Sequence, residues 1–333
     1  MNKIIYRVDG GRVWGVSMGH IKRALISANA LANSAAVSFI MKDYPDGVSY
    51  VRDAGFDIHT IDKDDNSDRT LINLVKKENP STVIFDLRET PYREFFKYAR
   101  GQNIKTVVFD ILGKCSGAPD IVINDSIVSK YTSYSFDGDK TSLYTGPQYF
   151  LSNELPKPSP INNEIINIAV TMGGSDPAAL TKKIVKFLVK KQNAKKYHII
   201  LGPLFSEECE KEIRNMCKTK QNFQIYRNPS SFLGLLVKQD LVICAGGRTL
   251  YESAYLGRPT IVVPSIEHED VTAQEYSKLT KCPNVGLWSD KTPQKINDAM
   301  VQYENIEFRK EVSALGRSLV DGNAYNRIMN IIN

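Results

Sequence analysis

Short apolar segments of strand length recur along the first half of this chain, and segments with helical periodicity separate them. Two of these segments, Thr82–Asp86 and 105–110, contain three successive apolar residues and end in an aspartate. Such alternation predicts an α/β fold with a parallel sheet that helices cover on both faces. The segment at 120–124 is the last strand that the pattern predicts in this half. Asp86 and Asp110 either line a ligand site or cap the next helix, and both interpretations stay open.

The length of the chain, 333 residues, allows two α/β domains of ordinary size. The segment 152–164 contains three prolines, which stiffen the backbone and prevent a helix, so it is the clearest linker. Strand and helix patterns resume after it. We therefore predict an N-terminal domain at 1–151 and a C-terminal domain at 165–333.

The first glycine-rich turn joins a strand near the start of the chain to a helix. Ser17 is placed to cap that helix, and apolar residues recur at helical spacing from Ile21. His20 therefore lies in or near the first helical turn, just past the carboxyl end of the first strand. Open α/β sheets bind their ligands at this edge.

A catalytic role for His20 is the functional prediction for this turn. Neutral imidazole can take a proton from water, so His20 is a candidate general base. Arg7 and Asp9 point to one side of the strand and Arg23 follows on the helix, which surrounds the turn with charged groups. We expect Arg7, Asp9, Gly19 and Arg23 to contact the substrate. A histidine that only caps the helix or lies on the surface is the alternative.

Two glycine-rich turns in the second half also link a strand to a helix. Backbone amides at such turns, together with the helix dipole, can bind a phosphate. At 173–176 a plain strand–helix turn is an equally good interpretation. At the second turn Glu252 lies one helical turn in, where it can accept hydrogen bonds from ribose hydroxyls or merely stabilise its own helix. The predicted ligand contacts of these turns are Gly174, Ser175, Gly246, Gly247, Arg248, Thr249 and Glu252.

Five segments of the chain, in order, resemble a known family. They include R-V-D-G-G…G-H-I-K-R, Y-x-G-P-x-Y at 144–149, G-G-S-D at 173–176 and G-x-x-T-x-x-E-x-x-x-x-G-x-P at 246–259. The family is that of the nucleotide-sugar hydrolases of pseudaminic acid biosynthesis and the related spore coat polysaccharide proteins. These proteins are relatives of the GT-B glycosyltransferases. The resemblance implies two Rossmann-like domains with parallel sheets that face each other across a cleft.

The resemblance also implies roles for single residues. The histidine of the family's G-H motif, which is regarded as catalytic, matches His20. The glutamate that binds the ribose matches Glu252, and the helix-start amides on the pyrophosphate match residues 246–249. The family often has E-N-Q in a segment that contacts the sugar. Here Gln274 matches the glutamine, while Ala273 stands where asparagine is usual.

The function that this resemblance implies is hydrolysis of a UDP-sugar. Water would attack the anomeric carbon without a metal or a cofactor, and UDP and a free 2,4-diacetamido-2,4,6-trideoxyhexose would be released. A GT-B glycosyltransferase, in which an acceptor hydroxyl replaces water, is the alternative. A third possibility is a protein that binds a nucleotide-sugar without catalysis. A dinucleotide oxidoreductase is disfavoured, because neither half has G-x-G-x-x-G followed by an acid at the usual distance.

The composition of the chain limits the classes of ligand and partner that it can bind. The net charge of +6 suits an anionic small ligand, and no dense block of lysine and arginine with interleaved aromatics indicates a nucleic acid. The five cysteines form no C-x-x-C pair, which favours a reducing cytoplasm. No apolar run approaches the length of a transmembrane helix. The acidic segment around His268 is too compact to supply three ligands to one metal ion. We expect a monomer.

Overall fold

The computed structural model describes residues 2–11, 18–138, 140–152, 155–174 and 176–332. The chain divides into two compact units. The first comprises Met1–Asn153 and Asn323–Asn333, and the second comprises Glu154–Gly322.

The first unit is built on a parallel sheet, whose order among the described residues is β3-β2-β1-β4-β5-β6-β7. The strands are β1 (Asn2–Val8), β2 (Ala35–Lys42), β3 (Asp57–Ile61), β4 (Thr82–Asp86), β5 (Lys105–Phe109), β6 (Ile121–Asn124) and β7 (Ser142–Thr145). The helices are α1 (Gly19–Leu31), α2 (Pro45–Asp53), α3 (Asp68–Glu78) and α4 (Arg93–Gly101).

Helices cover both faces of this sheet, as the alternating pattern predicts. Successive residues of β1 point to opposite faces, so Tyr6 packs with α1 and α2 while Ile5 packs with α3 and α4. Phe85 on β4 contacts the rings of Phe95 and Phe96 on α4. Two buried clusters, one on each face, therefore hold the carboxyl ends of β1 and β4 in place.

The prediction that 120–124 is the last strand of the first half is wrong. β7 follows it and pairs in parallel with β6, with Leu143 opposite Val122. Both Ser142 and Leu143 are exposed, so this edge strand lacks the buried apolar run by which the other strands are recognised.

The second unit contains a parallel sheet of order β10-β9-β8-β11-β12 among the described residues. The strands are β8 (Asn167–Thr171), β9 (Lys196–Leu201), β10 (Phe223–Arg227), β11 (Leu241–Cys244) and β12 (Thr260–Val262). The helices are α5 (Leu180–Leu188), α6 (Glu207–Cys217), α7 (Phe232–Leu236), α8 (Arg248–Leu256), α9 (Glu267–Thr280), α10 (Thr292–Gln302) and α11 (Ile306–Leu319).

The segment predicted as a linker is docked on the second unit over most of its length. Arg258, which is buried, donates hydrogen bonds to the carbonyl oxygens of Ser159 and Pro160. Arg309, also buried, donates to the carbonyl oxygens at positions 162 and 163, at 3.0 and 2.6 Å. The prolines thus stiffen a segment that belongs to the second unit.

The last helix, α12 (Ala324–Ile332), belongs to the first unit, although the sequence placed all of 165–333 in the C-terminal domain. Ile328 and Ile332 are buried in the same cluster as Tyr6. Lys105 donates a hydrogen bond of 2.7 Å to the carbonyl oxygen of Ile332. The apolar stripe of α12 identifies it as a helix that must be buried, but not which core buries it.

Candidate active site

His20 and Asp86 meet at the carboxyl end of the first unit's sheet. Helix α1 begins at Gly19, so His20 lies in its first turn. Strand β4 lies beside β1, and its last residue, Asp86, is in register with Val8. The Nδ1 of His20 is 2.6 Å from the Oδ1 of Asp86. The sequence predicted this location for the histidine and left the role of Asp86 open between ligand contact and helix cap.

Arg23, one turn further along α1, holds the carboxylate of Asp86 from a second direction. Its Nε and Nη2 donate to the two oxygens of Asp86 at 2.7 Å each. Its Nη1 lies 3.3 Å from both oxygens of Asp125, which follows β6. Its guanidinium also lies over the ring of Phe109, 5.0 Å from the centroid. Arg23 is buried and its charged group is occupied by these partners, so its contribution to the site is to position Asp86.

The charge of Asp86 determines which ring nitrogen of a neutral His20 carries the hydrogen. Burial alone would raise the pKa of Asp86, but the charge and hydrogen bonds of Arg23 and His20 outweigh it and hold the pKa below its ordinary value. An ionised carboxylate can only accept a hydrogen bond, so the Nδ1 of His20 must donate. The neutral ring then has its lone pair on Nε2, the atom that can act as a base. The side chain of His20 is 24% exposed, so it is accessible to a small molecule.

Arg7 and Asp9 pair with each other at the end of β1. Nη1 and Nη2 of Arg7 donate to the Asp9 carboxylate at 2.6 and 2.9 Å, and Arg7 also bonds the hydroxyl of Tyr92. Asp9 accepts a further hydrogen bond of 2.7 Å from the backbone N–H of Lys42. Arg7 is 1% exposed, so these contacts give it a structural role that ties β1 to β2 and to the start of α4. The predicted substrate contact is more easily made by Asp9, whose side chain is 15% exposed.

The turn between β11 and α8 presents the start of a helix, as the sequence predicted. Gly247 is the N-cap and has no side chain to occupy the first amides of α8. Arg248 is exposed, Thr249 is buried, and Glu252 is half-buried one turn in. The first backbone N–H groups of a helix and its dipole make such a turn suitable for a phosphate.

Glu269 borders this turn, and the sequence gave no signal of it. A Cβ on Gly246 would collide with the backbone oxygen of Glu269 and would lie 2.8 Å from its Cβ. Gly246 therefore allows the first turn of α9 to pack against the start of α8. The Oε2 of Glu269 accepts a hydrogen bond of 2.8 Å from the backbone N–H of Ser265. Its Oε1 lies only 3.4 Å from the position that a Cβ of Gly247 would take, so a carboxylate stands beside the candidate phosphate site.

The turn at 173–176 has a clear structural function. The carboxylate of Asp176 accepts hydrogen bonds from the backbone N–H groups of Leu180 and Thr181, at 2.8 and 2.7 Å. Burial raises the pKa of Asp176 despite these bonds. Gly174 accepts a hydrogen bond of 3.0 Å from the N–H of Leu204 through its carbonyl oxygen and remains exposed. Asp176 thus caps the start of α5.

Gln274 and Ala273 lie on different faces of α9. Gln274 is exposed, and its Nε2 donates to Asp270, one turn earlier, at 2.8 Å. Ala273 is fully buried in the second unit. An asparagine at 273 would therefore point into this unit's interior. We expect the residue at this position to affect the packing of α9 more than contact with a sugar.

Two of the sequence predictions, the helix cap at Ser17 and the ligand contact of Ser175, lie outside the described residues. Across the described residues, no group of three or more His, Cys, Asp or Glu side chains is arranged to hold a metal ion. Within the same residues, none of the helices is both long and apolar enough to span a membrane.

Residues 168–311 match the family model described as the glycosyltransferase family 28 C-terminal domain. The chain is 31% identical over 294 residues to protein MJ1062 of Methanocaldococcus jannaschii, covering 83% of this chain and 58% of that protein. It is 23% identical to the spore coat polysaccharide biosynthesis protein SpsG of Bacillus subtilis, over 97% of this chain and 96% of SpsG. The chain thus spans less than two thirds of the first of these relatives and nearly all of the second.

A third relative matches half of the chain. It is the pseudaminic acid cytidylyltransferase and UDP-2,4-diacetamido-2,4,6-trideoxy-beta-L-altropyranose hydrolase of Helicobacter pylori. The identity is 29% over 163 residues, which are 49% of this chain and 27% of that protein.

Solved structures of similar fold cover both units. MurG of Acinetobacter baumannii superposes with a TM-score of 0.69 over 99% of each chain, at 16% identity. Anabaena HepE, solved with UDP and glucose, superposes with a TM-score of 0.62 over 99% of each chain, at 11% identity. The two parallel α/β units and these matches give the chain the GT-B fold. Residues 168–311 are thus similar to the glycosyltransferase family 28 C-terminal domain, and nearly the whole chain is similar to SpsG.

Proposed function

We propose that this protein is a UDP-sugar hydrolase in which His20 is the general base. The observation that carries the proposal is the contact between His20 Nδ1 and the buried, ionised Asp86. This contact leaves Nε2 unprotonated in the neutral ring, which a base acting on water requires.

In the proposed reaction, Nε2 of His20 accepts a proton from water as the water oxygen bonds to the anomeric carbon. The bond from that carbon to the β-phosphate oxygen breaks, its electron pair leaves with UDP, and the configuration at the carbon inverts. Asp86 stabilises the imidazolium that forms, and general base catalysis of this kind contributes about 10²–10⁴-fold to rate. The proton then passes to solvent.

We propose that the first turn of α8 binds the UDP. Backbone N–H groups at the start of a helix can stabilise the charge that develops on a leaving phosphate, and Arg248 adds a cation. Glu252, one turn in, would accept hydrogen bonds from the ribose. The remaining proposed contacts with the substrate are those of Asp9, Gly19, Gly174, Ser175 and Gln274. The reaction as proposed uses neither a metal nor a cofactor.

The sugar that we propose is a 2,4-diacetamido-2,4,6-trideoxyhexose, because the H. pylori relative carries a hydrolase of that UDP-sugar in its name. The match to a glycosyltransferase family 28 domain favours a second candidate, a transferase that uses a UDP-sugar donor. In that case His20 would take the proton of an acceptor hydroxyl. The five described cysteines are all unpaired, which suits the cytoplasm, where we propose that the enzyme works as a monomer.

The experiment is to incubate the full chain with UDP-2,4-diacetamido-2,4,6-trideoxy-β-L-altropyranose and excess EDTA, without an acceptor, and to follow UDP and free sugar by NMR. We expect equal release of both in the wild type and loss of release in His20→Ala. His59→Ala is the matched control, because His59 lies on the edge strand β3 and pairs with Glu78. A UDP-sugar that binds to the protein but is not cleaved would favour the transferase. Turnover that EDTA abolishes would contradict the metal-free mechanism.

A further inference from the structure

A cavity of about 730 Å³ lies on the second unit, away from the first turn of α8. Tyr255, which lines it, is near the last residue of α8, about 10 Å along the helix from Arg248. The cavity is also lined by Pro158, Pro160 and residues of α11. Its volume falls within the range of about 300–1,000 Å³ that is usual for small-molecule sites.

The proline-lined wall of this cavity is fixed to the unit. The buried Arg258 and Arg309 donate hydrogen bonds to the carbonyl oxygens of four residues in this wall, at positions 159, 160, 162 and 163. The hydroxyl of Tyr255 lies 3.4 Å from the carbonyl oxygen of Leu155 in the same segment. A wall held in this way does not need to be ordered by a ligand, which lowers the entropic cost of binding.

The floor of the cavity is one face of α11. Lys310, Ser313 and Arg317 are spaced at three and four residues, so they share that face. Ser313 is short and mostly buried, which leaves room above this part of the helix. Lys310 and Arg317 lie on either side of it along α11. Lys310 pairs with Glu307 at 2.8 Å, but both side chains are exposed, and such a pair is easily exchanged for another anion.

Two cations, Lys310 and Arg317, and one carboxylate, Asp321, line this cavity, so its positive charge is only partly balanced. Among the residues that the structure describes, Arg317 makes no ion pair or hydrogen bond. Its stem packs where a Cβ of Gly257 would lie, next to Arg258. Burial and the like charge of Arg317 lower the pKa of Arg258 against the attraction of Asp240. An anion placed beside Arg317 would relieve this repulsion.

We propose that this cavity binds a small organic phosphate, with the phosphate between Lys310 and Arg317 and a planar ring against Tyr255 and the prolines. Guanidinium and ammonium groups are the usual partners of phosphate, and serine hydroxyls can donate to the remaining oxygens. The site is separate from the candidate phosphate site at α8 and does not depend on the hydrolase mechanism.

The test is ¹⁹F NMR of the full chain labelled with fluorotyrosine. The resonance missing from Tyr255→Phe assigns the probe that lines the cavity. Inorganic phosphate and UMP are titrated in turn at millimolar concentrations. We expect the Tyr255 resonance to shift with both, and at lower concentration with UMP because its ring adds contact. In Arg317→Gln and Lys310→Gln, UMP should bind about tenfold more weakly, since each loses a charged hydrogen bond.

Lys278→Gln is the matched control, because Lys278 is an exposed lysine on α9 outside the cavity. This variant should titrate like the wild type. A Tyr255 resonance that neither phosphate nor UMP moves would overturn the proposal. So would a shift that Arg317→Gln and Lys310→Gln leave unchanged. UMP that moves other tyrosines but not Tyr255 would restrict nucleotide binding to α8 and would also refute this site.

Discussion

Arg23 holds both oxygens of Asp86 with hydrogen bonds of 2.7 Å, and one of these oxygens also receives Nδ1 of His20. Asp86 is thus a buried carboxylate shared between a permanent cation and a titratable ring. Helix α1 therefore supplies both His20 and, one turn later, Arg23, which fixes the carboxylate that orients the histidine. Asp125 extends the network on the far side of the guanidinium, at 3.3 Å.

We expect Asp86→Asn to lower kcat by about 10²–10⁴-fold with little change in UDP affinity. Arg23 donates only, so it would retain the single oxygen of the asparagine and turn the amide N–H₂ toward His20. Nδ1 would then have to accept, the proton would move to Nε2, and the base would be lost. Turnover and UDP binding, measured on the same preparation, separate this effect from loss of the site.

Asp125→Asn is the control for Asp86→Asn, because it alters the same buried network without touching His20. A smaller loss of kcat is expected there. Equal losses in the two variants would show that the network supports the fold rather than the tautomer of His20.

We expect Glu269→Gln to tighten UDP binding about fivefold. A carboxylate beside the first turn of α8 repels a diphosphate by roughly 1 kcal/mol in a partly solvated site. The amide keeps an oxygen that can accept from the N–H of Ser265, so the structural bond survives. Calorimetry with UDP at low and high salt gives the affinity and tests the screening that this explanation requires.

Two further variants define what the effect of Glu269→Gln means. Glu267→Gln removes an exposed charge from the same helix start and should change UDP affinity little. Glu252→Gln should weaken binding, since its proposed role is to accept from the ribose. Unchanged affinity in Glu269→Gln would show that the diphosphate does not lie at this turn.

We expect Gly246→Ala to lower the free energy of unfolding by about 1–3 kcal/mol. Its Cβ would meet the backbone of Glu269, which cannot move without shifting α9. Gly247→Ala is the matched control. There the nearest atom is the flexible Oε1 of Glu269 at 3.4 Å, and φ is −94°, which alanine adopts readily. Urea denaturation of both variants decides the point, and equal stabilities would contradict the packing described here.

The sequence predicted the α/β class, the strand–turn–helix around His20 and the turn before α8, because each depends on local pattern. It could not pair His20 with Asp86, since β4 is far from β1 in sequence and becomes its neighbour only in the sheet. For the same reason it missed Glu269, whose approach to Gly246 depends on how α9 packs. It also assigned α12 to the wrong unit, because an apolar stripe does not specify its partner.

Ala273→Asn tests whether position 273 of α9 contacts the sugar or the interior. Ala273 is fully buried, so an asparagine at this position would bury an amide. We expect a loss of about 1–3 kcal/mol in the free energy of unfolding, with no change in the ratio of kcat/KM between UDP-sugars. Gln274→Asn, at the exposed neighbouring position, should leave stability unchanged. A stable Ala273→Asn variant with altered sugar preference would contradict this, because it would mean that the asparagine reaches the substrate and that α9 presents this face to it.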